Sequence, residues 1–175
     1  MIDGEHNETE APTFLSSAAE VARLLDLDTA AGVPEDRRAR HLAHAARKPL
    51  LERASLPEEF FAPLMAAAVH DPDPSFCRWF VEPAVYTFGR RRVVATLLNY
   101  LLTGTNAEQA GAKRAWYCAH VPLRADRSPA YAPGGSRDPA LDEVRDLVDT
   151  WLECAAVSDL SEAGARPSLP TTDQG

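Results

Sequence analysis

Three consecutive arginines, Arg90, Arg91 and Arg92, form the densest run of positive charge in the sequence. A guanidinium group is a planar, two-pronged donor that matches a carboxylate or a phosphate, so the run is a candidate anion-binding site. It lies at the predicted start of a helix, where positive charge is unfavourable by roughly 0.3 kcal/mol or more. Something should therefore compensate it. The alternative is that the three side chains pair with nearby acids or face solvent.

A second set of candidate side chains has helical spacing. Trp79, Glu82 and Tyr86 stand at i, i+3 and i+7, so they share one helix face. Because Trp and Tyr are common among the residues that dominate binding energy, this face is a candidate protein-binding surface. The alternative is that it packs against a neighbouring helix.

A matching set is predicted 31 residues further along the chain. Asn106, Arg114 and Tyr117 belong to the corresponding helix of a second copy and are expected to extend the same surface. Here the alternative is that Arg114 faces solvent and the neighbouring Trp116 packs in the core.

Residue combinations that catalyse reactions or hold cofactors are missing from the sequence. Neither a G-x-S-x-G motif nor a Gly-rich phosphate loop occurs. His41 and His44 have a spacing that suits a metal ion, but no Cys or carboxylate stands at a spacing that completes a site. Cys77, Cys118 and Cys154 are widely spaced, which predicts buried, reduced thiols. We therefore expect no metal and no cofactor.

The candidate residues lie in an internal repeat of 31 residues. Its copies run over 58–88 and 89–119, and each reads as a helix, a turn and a second helix. Ser75 and Asn106 occupy equivalent positions, and both are good N-cap residues for the second helix. Gly89 is expected to join the copies in a left-handed conformation. Such hairpins cannot bury their apolar faces alone, so they should stack.

The first copy resembles a known repeat family. Residues 67–80, A-A-V-H-D-P-D-P-S-F-C-R-W-F, are similar to the short HEAT-like repeats, whose two helices are often joined by an Asp-Pro turn. The second copy departs from this pattern, with Gly-Thr-Asn at 104–106. The resemblance implies an all-α fold in which helical hairpins form a right-handed stack. Since most HEAT-like folds are scaffolds, it also implies binding in preference to catalysis.

Outside the repeat, the sequence predicts flanking helices within one helical domain over 14–157. Ser17-x-x-Glu20 has the pattern of a capping box at the start of a first helix, and a second helix is expected over 35–53. The remaining segments are listed in chain order: a flexible acidic tail (1–13), a long loop rich in Pro and Gly (121–138), a C-terminal helix (139–157) and a disordered tail (158–175).

The charge of the chain bears on its partners. The formal net charge is −8, which disfavours general affinity for nucleic acids. Residues 120–175 hold ten acids and five bases and would attract a basic protein. The sequence lacks a long apolar run, and its acidic start is unlike a secretion signal, so a cytoplasmic protein without membrane contact is expected.

Taken together, these patterns favour a non-catalytic binding or scaffold protein that recognises a protein partner through the second helices of its two repeats. A regulatory or immunity-like role, against a basic partner, is one form of this hypothesis. Two alternatives stay open. One is a HEAT-like enzyme or nucleic-acid-binding protein that uses Arg90–Arg92. The other is a small-molecule-binding regulatory domain with the 121–138 loop as a lid.

Overall fold

The computed structural model describes residues 11–27, 32–119 and 139–164, the last of these with side chains only for 142–156. Over these ranges the chain is all-α, as predicted, and contains no β-strand. Seven α-helices fall within them: α1 (Phe14–Leu24), α2 (Glu35–Glu52), α3 (Phe61–His70), α4 (Arg78–Phe88), α5 (Arg90–Thr103), α6 (Asn106–Ala119) and α7 (Arg145–Gly164). Short 3₁₀ segments cover Glu58–Phe60 and Pro139–Val144. No helix of the described ranges is both long and apolar enough to cross a membrane.

Helix α1 begins earlier than its predicted capping box. The Thr13 hydroxyl accepts a hydrogen bond from the Ser16 amide (3.1 Å), and the Ser16 hydroxyl accepts one from the Thr13 amide (2.8 Å). This reciprocal pair caps the helix four residues before the predicted cap, Ser17. The predicted box at Ser17 is wrong, because Ser17 is buried inside the helix and Glu20 bonds to Arg23 instead.

Both copies of the predicted repeat are helical hairpins. Residues 71–77 connect α3 to α4, whereas only 104–105 connect α5 to α6. The first connection is longer because a proline disfavours helical backbone at the residue before it, and Pro72 and Pro74 follow Asp71 and Asp73. The second helices of the two copies nevertheless end at equivalent residues, Phe88 and Ala119.

The second helices do not begin at their predicted caps. Ser75 lies in the turn before α4, which starts at Arg78 without a side-chain cap. In the second hairpin the capping residue is Thr105, whose hydroxyl accepts from the Glu108 amide (3.3 Å), while the Glu108 carboxylate accepts from the Thr105 amide (2.7 Å). Asn106 is one residue too late to cap and is the first residue of α6.

Gly89, between the two hairpins, has φ +88° and ψ 146°. The positive φ matches the predicted need for glycine, because a side chain at this φ would be strained. The ψ value lies outside the left-handed helical region, so the joint is more extended than expected.

The two hairpins interlock where α3 crosses α6 at Gly111. A Cβ atom at Gly111 would lie 1.8 Å from the carbonyl oxygen of Val69, so only glycine allows this approach. The equivalent residue of the first copy, Phe80, is fully buried. At this pair of equivalent positions, packing explains both the large residue of the first copy and the glycine of the second. At another pair of equivalent positions the burial is not shared, because Leu64 is buried and Ala95 is exposed.

The C-terminal helix differs from its prediction at both ends. The 3₁₀ segment precedes α7, and α7 continues to Gly164, because no Pro or Gly interrupts the chain between Pro139 and that residue. The predicted disordered tail is therefore helical over 158–164.

Helix α7 packs on the second hairpin through parallel stacking of Trp151 on Trp116, with ring centroids 4.0 Å apart. The predicted loop at 121–138, the first ten residues and 165–175 lie outside the described residues.

The close approach of α3 to α6 predicts that a methyl group added at Gly111 destabilises the fold. We expect Gly111→Ala to lower the free energy of unfolding by about 3 kcal/mol, because the Val69 backbone must move to admit the Cβ. In an open helix the same change would stabilise the protein. Urea unfolding measures the difference, with exposed Ala110→Ser as the control. An unchanged or higher stability for Gly111→Ala would contradict the close crossing.

Candidate binding surface

All three predicted anion-binding arginines are occupied by contacts within the chain, and the first two contact other helices. Arg90 is 5% exposed and donates a hydrogen bond to the carbonyl oxygen of Ala119, the last residue of α6. Arg91 makes a two-pronged ion pair with Asp146 of α7, at 2.9 and 2.7 Å, and donates to the carbonyl oxygen of Glu143. The Arg91 guanidinium holds the pKa of Asp146 below its usual value.

Arg92 is occupied in the same way. Its guanidinium pairs with both carboxylate oxygens of Glu58 and lowers the pKa of that carboxyl group. It also lies 3.8 Å from the centroid of the Phe61 ring, within range of a cation–π interaction. The structure therefore supports the alternative for the whole run: the arginines join α5 to its neighbours, and this compensates their position at a helix start.

The predicted face of α4 is largely internal. Trp79, Glu82 and Tyr86 do share one side of the helix, but Glu82 is 8% exposed. Its carboxylate accepts hydrogen bonds from Arg78 (3.2 Å) and from the Tyr86 hydroxyl (3.1 Å). Glu82 and Tyr86 thus satisfy one another within the helix, as expected for a packed face.

The predicted residues of α6 point in different directions. The Arg114 side chain is half-buried and donates to the carbonyl oxygen of Asp71 (3.2 Å). Tyr117 is 73% exposed, and Asn106 is exposed at the start of the helix. Of the nine predicted site residues, only Asn106 and Tyr117 are exposed and without a polar or ring contact in the described part of the chain. The nine do not form one open surface.

Four of the ten exposed Arg and Lys residues in the described chain lie on α2, more than on any other helix. Arg37, His41, His44 and Lys48 stand at i, i+4, i+7 and i+11, and all four side chains are exposed. We call these four residues the basic stripe. It lies opposite the buried face of α2, formed by Leu42, Ala43, Ala46 and Leu50.

The charges near the stripe are only weakly neutralised. Arg37 and Lys48 are each 81% exposed, and their pairs with Asp36 (3.8 Å) and Glu52 (3.6 Å) are long and solvated. Such surface pairs contribute little. Arg38 and Arg47 are exposed beside the stripe, and no acid of the described residues lies within ion-pair distance of either.

A groove runs along the C-terminal half of the stripe. It has a volume of about 290 Å³, and His44, Arg47, Lys48, Leu51 and Glu52 line it. Three of the five lining residues are basic, one is acidic, and Leu51 and the side-chain stems make most of the surface apolar, so the groove suits a side chain that carries both a carboxylate and a short apolar stem.

Trp79 of α4 forms the edge of this surface. It is half-buried, its ring packs edge to face with His44 at a centroid distance of 5.8 Å, and the Arg47 guanidinium lies 5.3 Å from its centroid. Trp79 is therefore the one predicted binding residue that the structure places against the basic stripe.

Helix α2 is held in place by Arg40, whose side chain reaches Asp71, the residue that follows α3. Its guanidinium makes two hydrogen bonds, of 2.9 and 2.5 Å, to the fully buried carboxylate of Asp71. The same guanidinium lies 4.4 Å from the centroid of Phe76 and 4.9 Å from that of Phe14. This anchor fixes the rotation of α2, so the basic stripe is presented outward.

The basic stripe was detectable in the sequence. Residues 37–48 contain five Arg or Lys and two His. The arginines at 90–92 are denser in the sequence, but consecutive residues point to different sides of a helix. Sorting bases by helical spacing would have selected the stripe, because only that spacing places charges on one face.

Among the described residues, no three His, Cys, Asp or Glu side chains are arranged to hold a metal ion. The fold and the surface thus define an all-α protein with an exposed basic helix face and an adjoining groove. Comparison with known proteins gives no match to a family model, a curated protein or a solved structure. The surface is therefore interpreted from its own contacts and charges.

The contacts of Arg90 predict a structural role. We expect Arg90→Ala to lower the free energy of unfolding by about 2 kcal/mol, because it removes a charged donor from a buried carbonyl group. Arg38→Ala is the matched control: an exposed arginine on α2 whose loss should change stability by less than about 0.5 kcal/mol. Urea unfolding of both variants tests this, and equal stability of the two would contradict the structural role.

Proposed function

We propose that this chain is a non-catalytic binding protein that holds an acidic segment of a partner protein on the basic stripe of α2. The observation that carries the proposal is the stripe itself, which is exposed, lies beside a groove and Trp79, and is weakly neutralised. The arginines at 90–92, by contrast, already have acceptors within the chain.

The distribution of charge favours an acidic partner. Residues 35–53 hold six bases and three acids, which leaves twelve bases and 23 acids elsewhere. The net charge alone favours a basic partner. Salt, however, screens exposed charges beyond roughly 10 Å, so the local field of the stripe decides what binds there. The acidic remainder repels an acidic partner, so the stripe, which attracts it, sets the orientation in which the partner binds.

The length of the stripe favours a protein over a nucleic acid. It runs over twelve residues, from Arg37 to Lys48, which corresponds to about 16 Å of helix. An acidic peptide a few turns long matches this length. A nucleic acid carries a phosphate about every 3.4 Å along each strand, so a longer one would extend over the acidic remainder of the chain.

We also propose that the two hairpins are HEAT-like repeats in a right-handed stack. The proposal is supported by the shared order of helix, turn and helix, by the positive φ of Gly89 at the joint and by the equivalent ends of α4 and α6. On this proposal α1 and α2 flank the repeats at one end, and α2 carries the binding surface.

Charge reversal on the stripe tests the binding function. We expect the parent protein to bind a fluorescein-labelled glutamate-rich peptide, and the double variant Arg37→Glu, Lys48→Glu to bind it about tenfold more weakly, a loss of about 1.4 kcal/mol. Fluorescence anisotropy measures the Kd, and the binding of the parent should weaken as salt is added.

The matched control is Arg23→Glu, Arg145→Glu, which changes the net charge equally at exposed positions on α1 and α7. Its Kd should stay within about twofold of the parent value. Equal losses for the two double variants would contradict a specific stripe. Tighter binding of a labelled oligothymidylate than of the peptide would show that the surface takes nucleic acid instead.

A further inference from the structure

Two cysteines that are far apart in the sequence have their sulfur atoms in contact. Cys77 immediately precedes α4, and Cys118 lies in the last turn of α6. Their Sγ atoms are 3.4 Å apart. Cys77 is fully buried and Cys118 is 7% exposed, so the pair lies at the inner boundary between the two hairpins. The predicted burial of these two thiols is confirmed, but their pairing was not expected.

We propose that Cys77 and Cys118 are a redox-sensitive pair that closes to a disulfide under a peroxide and locks the first hairpin to the second. A disulfide needs a sulfur–sulfur distance near 2.05 Å, so the two atoms must approach by about 1.4 Å. Rotation of the two cysteine side chains about χ1 is the movement that brings the sulfurs together. The proposal does not depend on the binding function of α2.

The surroundings of the two sulfurs assign them different roles. The contact between the two sulfurs lowers the pKa of Cys118, and the charge of Arg78 acts in the same direction. The same contact, together with burial, raises the pKa of Cys77. Cys118 is also the more exposed of the two. It is therefore the thiol that reacts first, and Cys77 resolves the product.

The chemistry balances with hydrogen peroxide as the oxidant. The Cys118 thiolate attacks one peroxide oxygen, so that a sulfur–oxygen bond forms, the oxygen–oxygen bond breaks and hydroxide leaves. The Cys77 sulfur then attacks the Cys118 sulfur, the sulfur–oxygen bond breaks, and the departing hydroxide takes up the Cys77 proton as water. Two thiols lose two electrons in total, and one peroxide becomes two waters.

Cys154 provides an internal comparison. It lies on α7 and is half-buried, so it is more accessible than either member of the pair. If exposure alone decided the outcome, peroxide would modify Cys154 first and would form no specific link. If proximity decides, the Cys77–Cys118 disulfide forms even though both sulfurs are less accessible.

The first test is mass spectrometry of the full chain. The protein is reduced, desalted and treated with a small excess of hydrogen peroxide. We expect a loss of two hydrogen atoms and an unreduced peptide pair that joins Cys77 to Cys118. Cys154→Ser should give the same link, and Cys118→Ser should give none. A link through Cys154, oxygen addition without a link, or an unchanged mass would each overturn the proposal.

The second test shows whether the bond acts as a lock. A disulfide that closes the chain between residues 77 and 118 restricts the unfolded state, so the Tm of oxidised Cys154→Ser should rise by about 10 °C and fall back after dithiothreitol. This measurement does not depend on whether Cys118→Ser folds. A cross-linked protein with an unchanged or lower Tm would show that the bond is not a lock.

Discussion

The fold depends on a buried carboxylate and the arginine that neutralises it. Asp71 is fully buried at the end of α3, where an unpaired charge would be very costly. Arg40 reaches it from α2 with both prongs of its guanidinium, and Arg114 of α6 donates to the Asp71 carbonyl oxygen. One residue therefore joins the flanking helix, the first hairpin and the second hairpin. Phe14 and Phe76 cover the guanidinium of Arg40 and shield the pair from water.

This anchor explains how α2 serves two purposes. Arg40 and Arg47 are seven residues apart and lie on the same side of the helix, next to Trp79. The charge of Arg40 is used inside the protein, whereas that of Arg47 remains at the surface. The rest of the inner face is apolar, so the remaining charged side chains point outward. A basic surface can then persist on an acidic protein, because the helix that carries it cannot rotate to approach the acids elsewhere.

The sequence predicted the parts of the structure that local patterns determine. Helical periodicity and glycine and proline positions gave the all-α class, the range of α2 and the two hairpins at 58–88 and 89–119. The caps at Thr13 and Thr105 were missed because neighbouring Ser or Asn residues are equally good caps, and only tertiary packing selects among them.

The binding surface was harder to predict because it depends on contacts between distant residues. No local sequence pattern shows that Arg92 pairs with Glu58 or Arg91 with Asp146. The run of arginines therefore looked available for a ligand, although its charges are paired within the chain. The sulfur contact of Cys77 with Cys118 likewise joins residues 41 positions apart. The basic stripe, by contrast, follows from helical spacing within α2 alone and is recoverable from the sequence.

The Arg40–Asp71 pair holds α2 in place. A double-mutant cycle with Arg40→Met, Asp71→Asn and the combined variant, followed by urea unfolding, tests it most directly. We predict a coupling energy of about 2 kcal/mol, because each single change leaves a buried or half-buried partner without its counterpart. A coupling energy near zero would mean that the two residues act independently, and the account of how α2 is positioned would be wrong.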